Sequence, residues 1–367
     1  MKRALIAMSG GVDSSLAAKL MIDKGFECIG CTMKLFQNED AGVERSRTCC
    51  SLEDVDDARS VAYALGMRFY VFNFTDAFRQ TVIHKFIESY KNGITPNPCI
   101  DCNRYMKFGK LFERAEILSC DYVVTGHYAR IERRDGKFLL KKAVDETKDQ
   151  SYVLYSMTQE QLSRTLFPLG EMRKTDVRAA AEKSGFVNAD KPDSQDICFV
   201  PGGSYADIIE LHTGVKPQEG DFVDRNGKLL GKHRGLIHYT VGQRKGLGIS
   251  SPEPLYVCEL CPQSNTVVLG KNGELFSEEA YAADFNWISG EAPKHEIRCK
   301  VKIRYRQQEQ AATVTPVGEN GVHIVFDKAQ RAVTPGQAAV LYDGDTVLGG
   351  GTICRKAQKS VNPIRHG

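Results

Sequence analysis

Three stretches of this chain carry residue types that do chemistry: Ser9-Gly10-Gly11-Val12-Asp13-Ser14, the pair Cys99 and Cys102, and Cys198. In the first, Gly10 and Gly11 let backbone approach an anion closely, because neither has a Cβ. Ser9 and Ser14 add hydroxyl donors, and Asp13 is a candidate Mg²⁺ ligand against the same phosphates. The second stretch, Thr95-Pro96-Asn97-Pro98-Cys99-Ile100-Asp101-Cys102-Asn103, is a proline-stiffened loop feeding a helix expected near Asn103. A thiol at a helix N-terminus is held toward its thiolate, which makes Cys102 a candidate nucleophile. A zinc knuckle built on the same loop needs two further ligands. Cys198 lies in the polar loop 190–200 beside Phe199. With Cys102 it suggests two thiols that alternately form and break a disulfide, or a persulfide donor and its resolving partner.

The elements that must position these groups follow from the apolar pattern. Ala4 to Met8 reads as a buried strand that stops at the glycine loop, and Leu16, Ala17, Leu20 and Met21 recur at helical spacing until Gly25. A strand, a loop of small residues and a helix place free N–H groups at a positive helix end, where a phosphate sits well. Residues 51–65 form a helix capped by Ser51 and ended by Gly66, and Met67–Asn73 a strand. Phe78, Val82, Ile83, Phe86 and Ile87 form the buried stripe of the next helix. Asp121–Thr125 is a fourth strand, ending at Gly126-His127. This alternation specifies an α/β fold with a parallel sheet and helices on both faces. Ser9–Ser14, Met33 and Gly126 all fall at strand ends where ligands gather. Arg130–Lys142 reads as a hairpin turning at Asp135-Gly136.

At 367 residues the chain is long enough for two or three domains. We read residues 1–209 as the nucleotide-binding domain, 210–276 as a small mainly-β central domain, 277–358 as a C-terminal β-barrel, and 359–367 as a mobile tail. Apolar content of 42% and charged content of 26% are those of a soluble globular protein, with no apolar run of ~20 residues to cross a bilayer. A cytoplasmic location is expected. Twelve cysteines there argue for catalysis, metal or burial instead of a disulfide framework. Cys28 and Cys31 fall three apart on a strand and so point to opposite faces; adjacent Cys49 and Cys50 also diverge. A net charge of +3 leaves any RNA contact to local patches. One such patch is Arg298, Lys300, Lys302, Arg304 and Arg306, alternating with Ile297, Cys299, Val301, Ile303 and Tyr305 as a strand with one basic face. A basic turn at Gln243-Arg244-Lys245-Gly246 and a type I′ hairpin at Asn226-Gly227 mark the central domain.

The loop at Ser9–Ser15 resembles the pyrophosphate loop of ATP pyrophosphatases. With Thr95–Pro98, Cys102-Asn103, Thr125–Arg130, Lys148–Tyr152, Ile197–Phe199, Thr240–Gly248 and Thr334–Gln337, the chain resembles the bacterial tRNA 2-thiouridylase family from residue 5 to about 352. That resemblance implies ATP bound at Ala7, Met8, Ser9, Gly10, Gly11, Val12, Asp13, Ser14, Met33 and Gly126. It implies adenylation of the C2 oxygen of a tRNA wobble uridine, with Mg²⁺ easing pyrophosphate departure. It further implies that a sulfur-carrier protein charges Cys198 with a persulfide. Cys102 then attacks it, a Cys102–Cys198 disulfide forms, and sulfur reaches C2 as AMP leaves. Contacts to tRNA or the target base are implied for Asn97, Pro98, Cys99, His127, Lys148, Asp149, Gln150, Arg304, Tyr305 and Gln337. Many members carry Asp where this chain has Cys99, and Gly where it has Asp196. The extra thiol opens a second chemistry, a [4Fe–4S] cluster on Cys99, Cys102 and Cys198. An adenylating synthetase acting on a small molecule needs neither Cys102 nor Cys198. A non-catalytic iron–sulfur or zinc RNA-binding protein has no use for Ser9–Ser14.

Overall fold

The computed structural model describes residues 1–41, 52–191, 197–200 and 205–355. Cys49, Cys50, the Ser51 cap, Asp196 and the tail from residue 356 lie outside the described residues. Strand β1 (Arg3–Ala7) leads through residues 8–11 into helix α1 (Val12–Asp23). β2 (Glu27–Lys34), α2 (Leu52–Ala64) and β3 (Arg68–Asn73) follow. Residues 75–91 form one continuous helix, α3, and residues 98–117 another, α4, with β4 (Tyr122–Val124) behind it. Then come the hairpin β5 (Ala129–Arg134) and β6 (Lys137–Lys142), α5 (Gln159–Ser163), β7 (Thr165–Leu166), α6 (Lys174–Lys183) and α7 (Tyr205–Thr213).

The first sheet is fully parallel in the order β3-β2-β1-β4-β7. Its central strand has no polar face because both sides are covered. Ala4, Ile6 and Met8 pack with α1, α2 and α6, whereas Leu5 packs with Phe108, Leu111 and Ala115 of α4. Cys28 and Cys31 enter opposite cores, as their spacing requires. Truncating Leu5, which is fully buried, should cost about 2–5 kcal/mol.

α4 begins at Pro98, not near Asn103. Proline is well placed at a first helical position, where its missing N–H has no partner to lose, and Asn97 Oδ1 caps the turn by accepting the Cys99 N–H at 3.2 Å. Cys99 therefore occupies the helix end expected for Cys102, which lies one turn further in.

β8 (Gly220–Val223), β9 (Leu229–His233), β10 (Tyr256–Cys261) and β11 (Thr266–Gly270) make the central sheet, around Phe222, Tyr239, Val257 and Val267. The β8–β9 turn is not type I′. Only Gly227 takes positive φ (81°), since Asp224 Oδ1 accepts the N–H groups of both Asn226 and Lys228 and closes a longer loop. Asp135 and Gly136 do both take positive φ, 50° and 80°, and turn β5 into β6 as expected.

β12 (Phe276–Trp287), β13 (Ile297–Lys302), β14 (Gln310–Val317), β15 (Gly321–Arg331), β16 (Ala338–Asp343) and β17 (Thr346–Cys354) close an antiparallel barrel through the β12–β17 pairing. The β5–β6 hairpin joins it by pairing β6 with β17. Val340, Tyr342 and Val347 of the barrel share one core with Leu5 and Leu111. β13 stops at Lys302 and residues 303–306 turn, so Tyr305 and Arg306 leave the strand's two-residue alternation. No described helix is long and apolar enough to cross a membrane.

Candidate active site

At the C-terminal ends of the parallel strands lies a cleft of about 1080 Å³. Ala7, Met8, Ser9, Gly11, Val12, Asp13, Ser14, Met33 and Gly126 line one part of it. Pro98, Cys99, Cys102, His127, Lys148, Asp149, Gln150, Cys198 and Tyr305 line the rest. Gly10, Asn97, Arg304 and Gln337 are not among the residues that line the cleft.

The phosphate-loop half is tightly specified. Ser14 Oγ accepts the Ser9 N–H at 3.1 Å and donates to the Gly11 carbonyl at 3.0 Å. Asn188 Nδ2 donates to the Gly10 carbonyl and to Ser15 Oγ, both at 2.9 Å. Gly10 has φ +72°, and a Cβ there would lie 2.3 Å from the Asp54 carbonyl oxygen, so α2 can approach only a glycine. At Gly126 a Cβ would lie 2.9 Å from the Ser14 nitrogen, so this turn must be bare for β4 to close over α1.

Asp13 is the electrostatic centre of this half. Lys174 Nζ donates to its two oxygens at 2.7 and 2.8 Å, and the Tyr128 hydroxyl donates to Oδ1 at 2.7 Å. Lys174 is buried and also lines the cleft. Both Asp13 oxygens are thus engaged, with Lys174 as their counter-ion. Lys174 escaped the sequence reading, though a signal was present: it stands in the first turn of α6, where the helix dipole disfavours a cation. Lys107 and Asn188 were missed as well, since neither belongs to a local pattern.

His127 is buried between Phe108 and Phe167 at the cleft wall. Lys107 Nζ lies 3.2 Å from Nε2 and Thr125 Oγ1 lies 2.7 Å from Nδ1. An ammonium can only donate, so Nε2 accepts and the ring proton sits on Nδ1 toward Thr125. Burial first, and then Lys107, hold the His127 pKa well below the usual 6.5.

The thiol half is assembled from distant segments. Cys102 and Cys198 pack beside the cluster of Phe78, Phe86 and Phe199, in which Phe199 meets both other rings edge-on. Gln337 Nε2 donates to the Thr95 carbonyl at 2.9 Å, and the Thr95 N–H donates to the Pro335 carbonyl at 2.9 Å. The barrel thereby holds the loop that carries Cys99. Asp149 turns inward, accepting from the Ala143 N–H and the Ser151 N–H and hydroxyl, while Gln150 accepts the Tyr128 N–H. Arg304 is inward too: Nη2 donates to the carbonyls of Val241 and Ala332 and to Thr334 Oγ1. Arg298 pairs with Asp327, so the expected run of five cations presents Lys300, Lys302 and Arg306 to the cleft. No group of three His, Cys, Asp or Glu among the described residues is disposed to hold a metal ion.

A doubly covered parallel sheet with a phosphate cradle at the head of its first helix defines an adenine-nucleotide-binding α/β protein, here with thiols facing the cradle. The family models agree: a tRNA methyl transferase HUP domain matches residues 2–202, a tRNA methyl transferase PRC-barrel domain 207–271, and an aminomethyltransferase beta-barrel domain 277–353. A tRNA-specific 2-thiouridylase MnmA of Clostridioides difficile is 50% identical over 96% of this chain and 98% of its own length. Its counterpart in Acetivibrio thermocellus is 50% identical over 96% and 99%. The chain belongs to the tRNA-specific 2-thiouridylase family. Among solved structures, a 4-thiouridine synthetase in complex with RNA and ATP matches more distantly, with 16% identity, TM-score 0.34, and 55% of this chain and 46% of that chain covered.

Proposed function

We propose that this enzyme is an ATP-dependent sulfurtransferase that replaces the C2 oxygen of a tRNA wobble uridine by sulfur. The observation that carries the reading is the meeting of a phosphate cradle and the thiols of Cys99, Cys102 and Cys198 in one cleft. Neither a small-molecule synthetase nor a passive RNA binder needs both. ATP lies with its phosphates on the backbone of Ser9–Ser14 and its base toward Met33 and Gly126. Mg²⁺ would come with ATP and offset its phosphate charge, with Asp13 the carboxylate placed to share it. Lys174, oriented by Asp13, balances charge on the departing pyrophosphate.

The uridine O2 attacks the α-phosphate and becomes a leaving group as AMP. Cys198 receives a persulfide from a sulfur-carrier protein. Cys102 attacks the Cys198 sulfur, a Cys102–Cys198 disulfide forms, and the released hydrosulfide adds to C2 and expels AMP. Lys107, held by neutral His127, places positive charge beside the reacting oxygen. Lys148, Lys300, Lys302 and Arg306 line the path of the RNA backbone, and Tyr305 offers a stacking surface. A tRNA substrate, and a thiol pair that must be re-reduced after each turnover, support a cytoplasmic location.

The test is purified enzyme with ATP, unmodified tRNA and a persulfide donor, read by nucleoside mass spectrometry. Formation of 2-thiouridine that requires ATP supports the reading. Its absence, with ATP hydrolysed on a small molecule instead, overturns it. Full activity from iron-free protein, with a trapped Cys102–Cys198 disulfide, separates the persulfide route from a cluster on Cys99, Cys102 and Cys198.

A further inference from the structure

Resting on the persulfide reading above, we infer that Cys99 is a resolving thiol: it attacks Cys102 in the Cys102–Cys198 disulfide and moves that disulfide into the first turn of α4. Cys102 stands between two neighbours of different kinds. On one side it shares the Phe78–Phe86–Phe199 cluster with Cys198. On the other lies Cys99, exposed on the same helix at x-x spacing and facing Tyr305, whose hydroxyl pKa it helps to raise after burial and Asp149. All three thiols line one cleft.

Position and access both favour the exchange. Cys99 is the second helical residue, immediately after the Asn97 cap and Pro98, where helix N–H groups favour a thiolate as attacking species. Side chains three apart on a helix hold their Cβ atoms roughly 5–6 Å apart, against about 3.5–4.5 Å in a disulfide. The first turn closes that gap by shifting at Cys99, where the backbone N–H groups have no intrahelical partner to lose. The Cys99 thiolate attacks Cys102 Sγ, the Cys102–Cys198 bond breaks, and Cys198 leaves as a thiolate. No electrons are gained or lost in that step. A cellular dithiol then reduces the Cys99–Cys102 disulfide by attacking its exposed sulfur, taking up the oxidising equivalents. Cys198 is thus ready for a new persulfide before any reductant reaches the depth of the cleft.

The experiment is one turnover of enzyme carrying a Cys198 persulfide without reductant, quenched by alkylation, with peptide disulfides mapped by mass spectrometry. The wild type should show Cys99–Cys102 with Cys198 alkylated. Cys99→Ser should show Cys102–Cys198, and the ratio of its second to its first turnover at limiting dithiol should fall about tenfold. A wild-type map that stays at Cys102–Cys198, or an equal ratio in Cys99→Ser, overturns the inference while leaving the sulfur-transfer reading intact. Loss of the first turnover in Cys99→Ser, together with iron in the wild-type enzyme, also overturns it, in favour of a cluster. No thiolated tRNA from the wild type fails the underlying reading instead.

Discussion

The two halves of the cleft are built in opposite ways. The phosphate half is built on one unbroken stretch, β1 through α1, whose loop bonds within six residues, Ser9 to Ser14 and Ser14 to Gly11, with Asn188, Lys174 and Tyr128 bracing it from outside. The thiol half draws on residues 95–103, 197–199, 300–309 and 334–337, joined by contacts such as Gln337 to Thr95 and Tyr305 to the Asp149 carbonyl. A site of the first kind is rigid before any ligand arrives. One of the second kind depends on how the barrel sits against the sheet, so changes far from the chemistry should reach it.

The largest test of that division is Cys198→Ser. It should remove thiolation below detection, more than about 10³-fold, while tRNA-dependent pyrophosphate release stays within a few-fold. Joint loss of both would mean that the halves are not separable.

Lys174→Ala attacks the other half and should slow pyrophosphate release by about 10²-fold, as removal of a preorganised charge-stabilising group does. Asp13→Ala adds a stability cost by removing the carboxylate that pairs with the Lys174 ammonium. About 2–3 kcal/mol is expected by urea unfolding, below the ~3–5 typical of a buried pair because Asp13 is 31% exposed. An unchanged release rate in Lys174→Ala would remove that lysine from the phosphate site.

His127 sits at the seam. Its imidazole is held neutral by burial and Lys107, whereas in the unfolded chain it titrates near 6.5. The unfolded state therefore binds a proton that the folded state refuses. Stability should fall as pH drops below about 6.5, with a slope approaching ~1.4 kcal/mol per pH unit, and be regained as pH rises again. His127→Gln should flatten this limb in urea titrations between about pH 5 and 7. A slope identical to wild type would place the proton on another group.

Gln337→Ala should cost about 1 kcal/mol at the Thr95 loop, roughly fivefold in thiolation, with pyrophosphate release nearly untouched. Equal losses in both assays would make the loop a shared support. The smallest effect separates two arginines. Arg306→Ala should lower the salt slope of tRNA binding by about 1. Arg304→Ala should instead lower the melting temperature with little change of slope, since its guanidinium is spent on Val241, Ala332 and Thr334.

Residues 4–16 were readable because strand, loop and helix follow one another, and each rule involved acts within a few residues. The same is true of the Asp135-Gly136 turn and of the stripe on α3. Reading failed where partners are remote or where two local rules compete. Prolines before Cys99 suggested an absent helix, yet Pro98 opens one because Asn97 caps it. The alternating run 297–306 suggested a strand throughout, but Arg304 turns inward to pair with three oxygens that lie 28 or more residues away.

The sequence by itself determined the parallel α/β sheet, the glycine-bearing phosphate loop and the thiols at 99, 102 and 198, because periodicity, Cβ sterics and side-chain chemistry are local properties. Only the tertiary structure decided that Lys174 completes Asp13 from 161 positions away and that Lys107 fixes the tautomer of His127. It also decided that the barrel carries the cysteine loop on Gln337. Burial and charge pairing depend on which surfaces meet, and nothing within a short window of sequence specifies that.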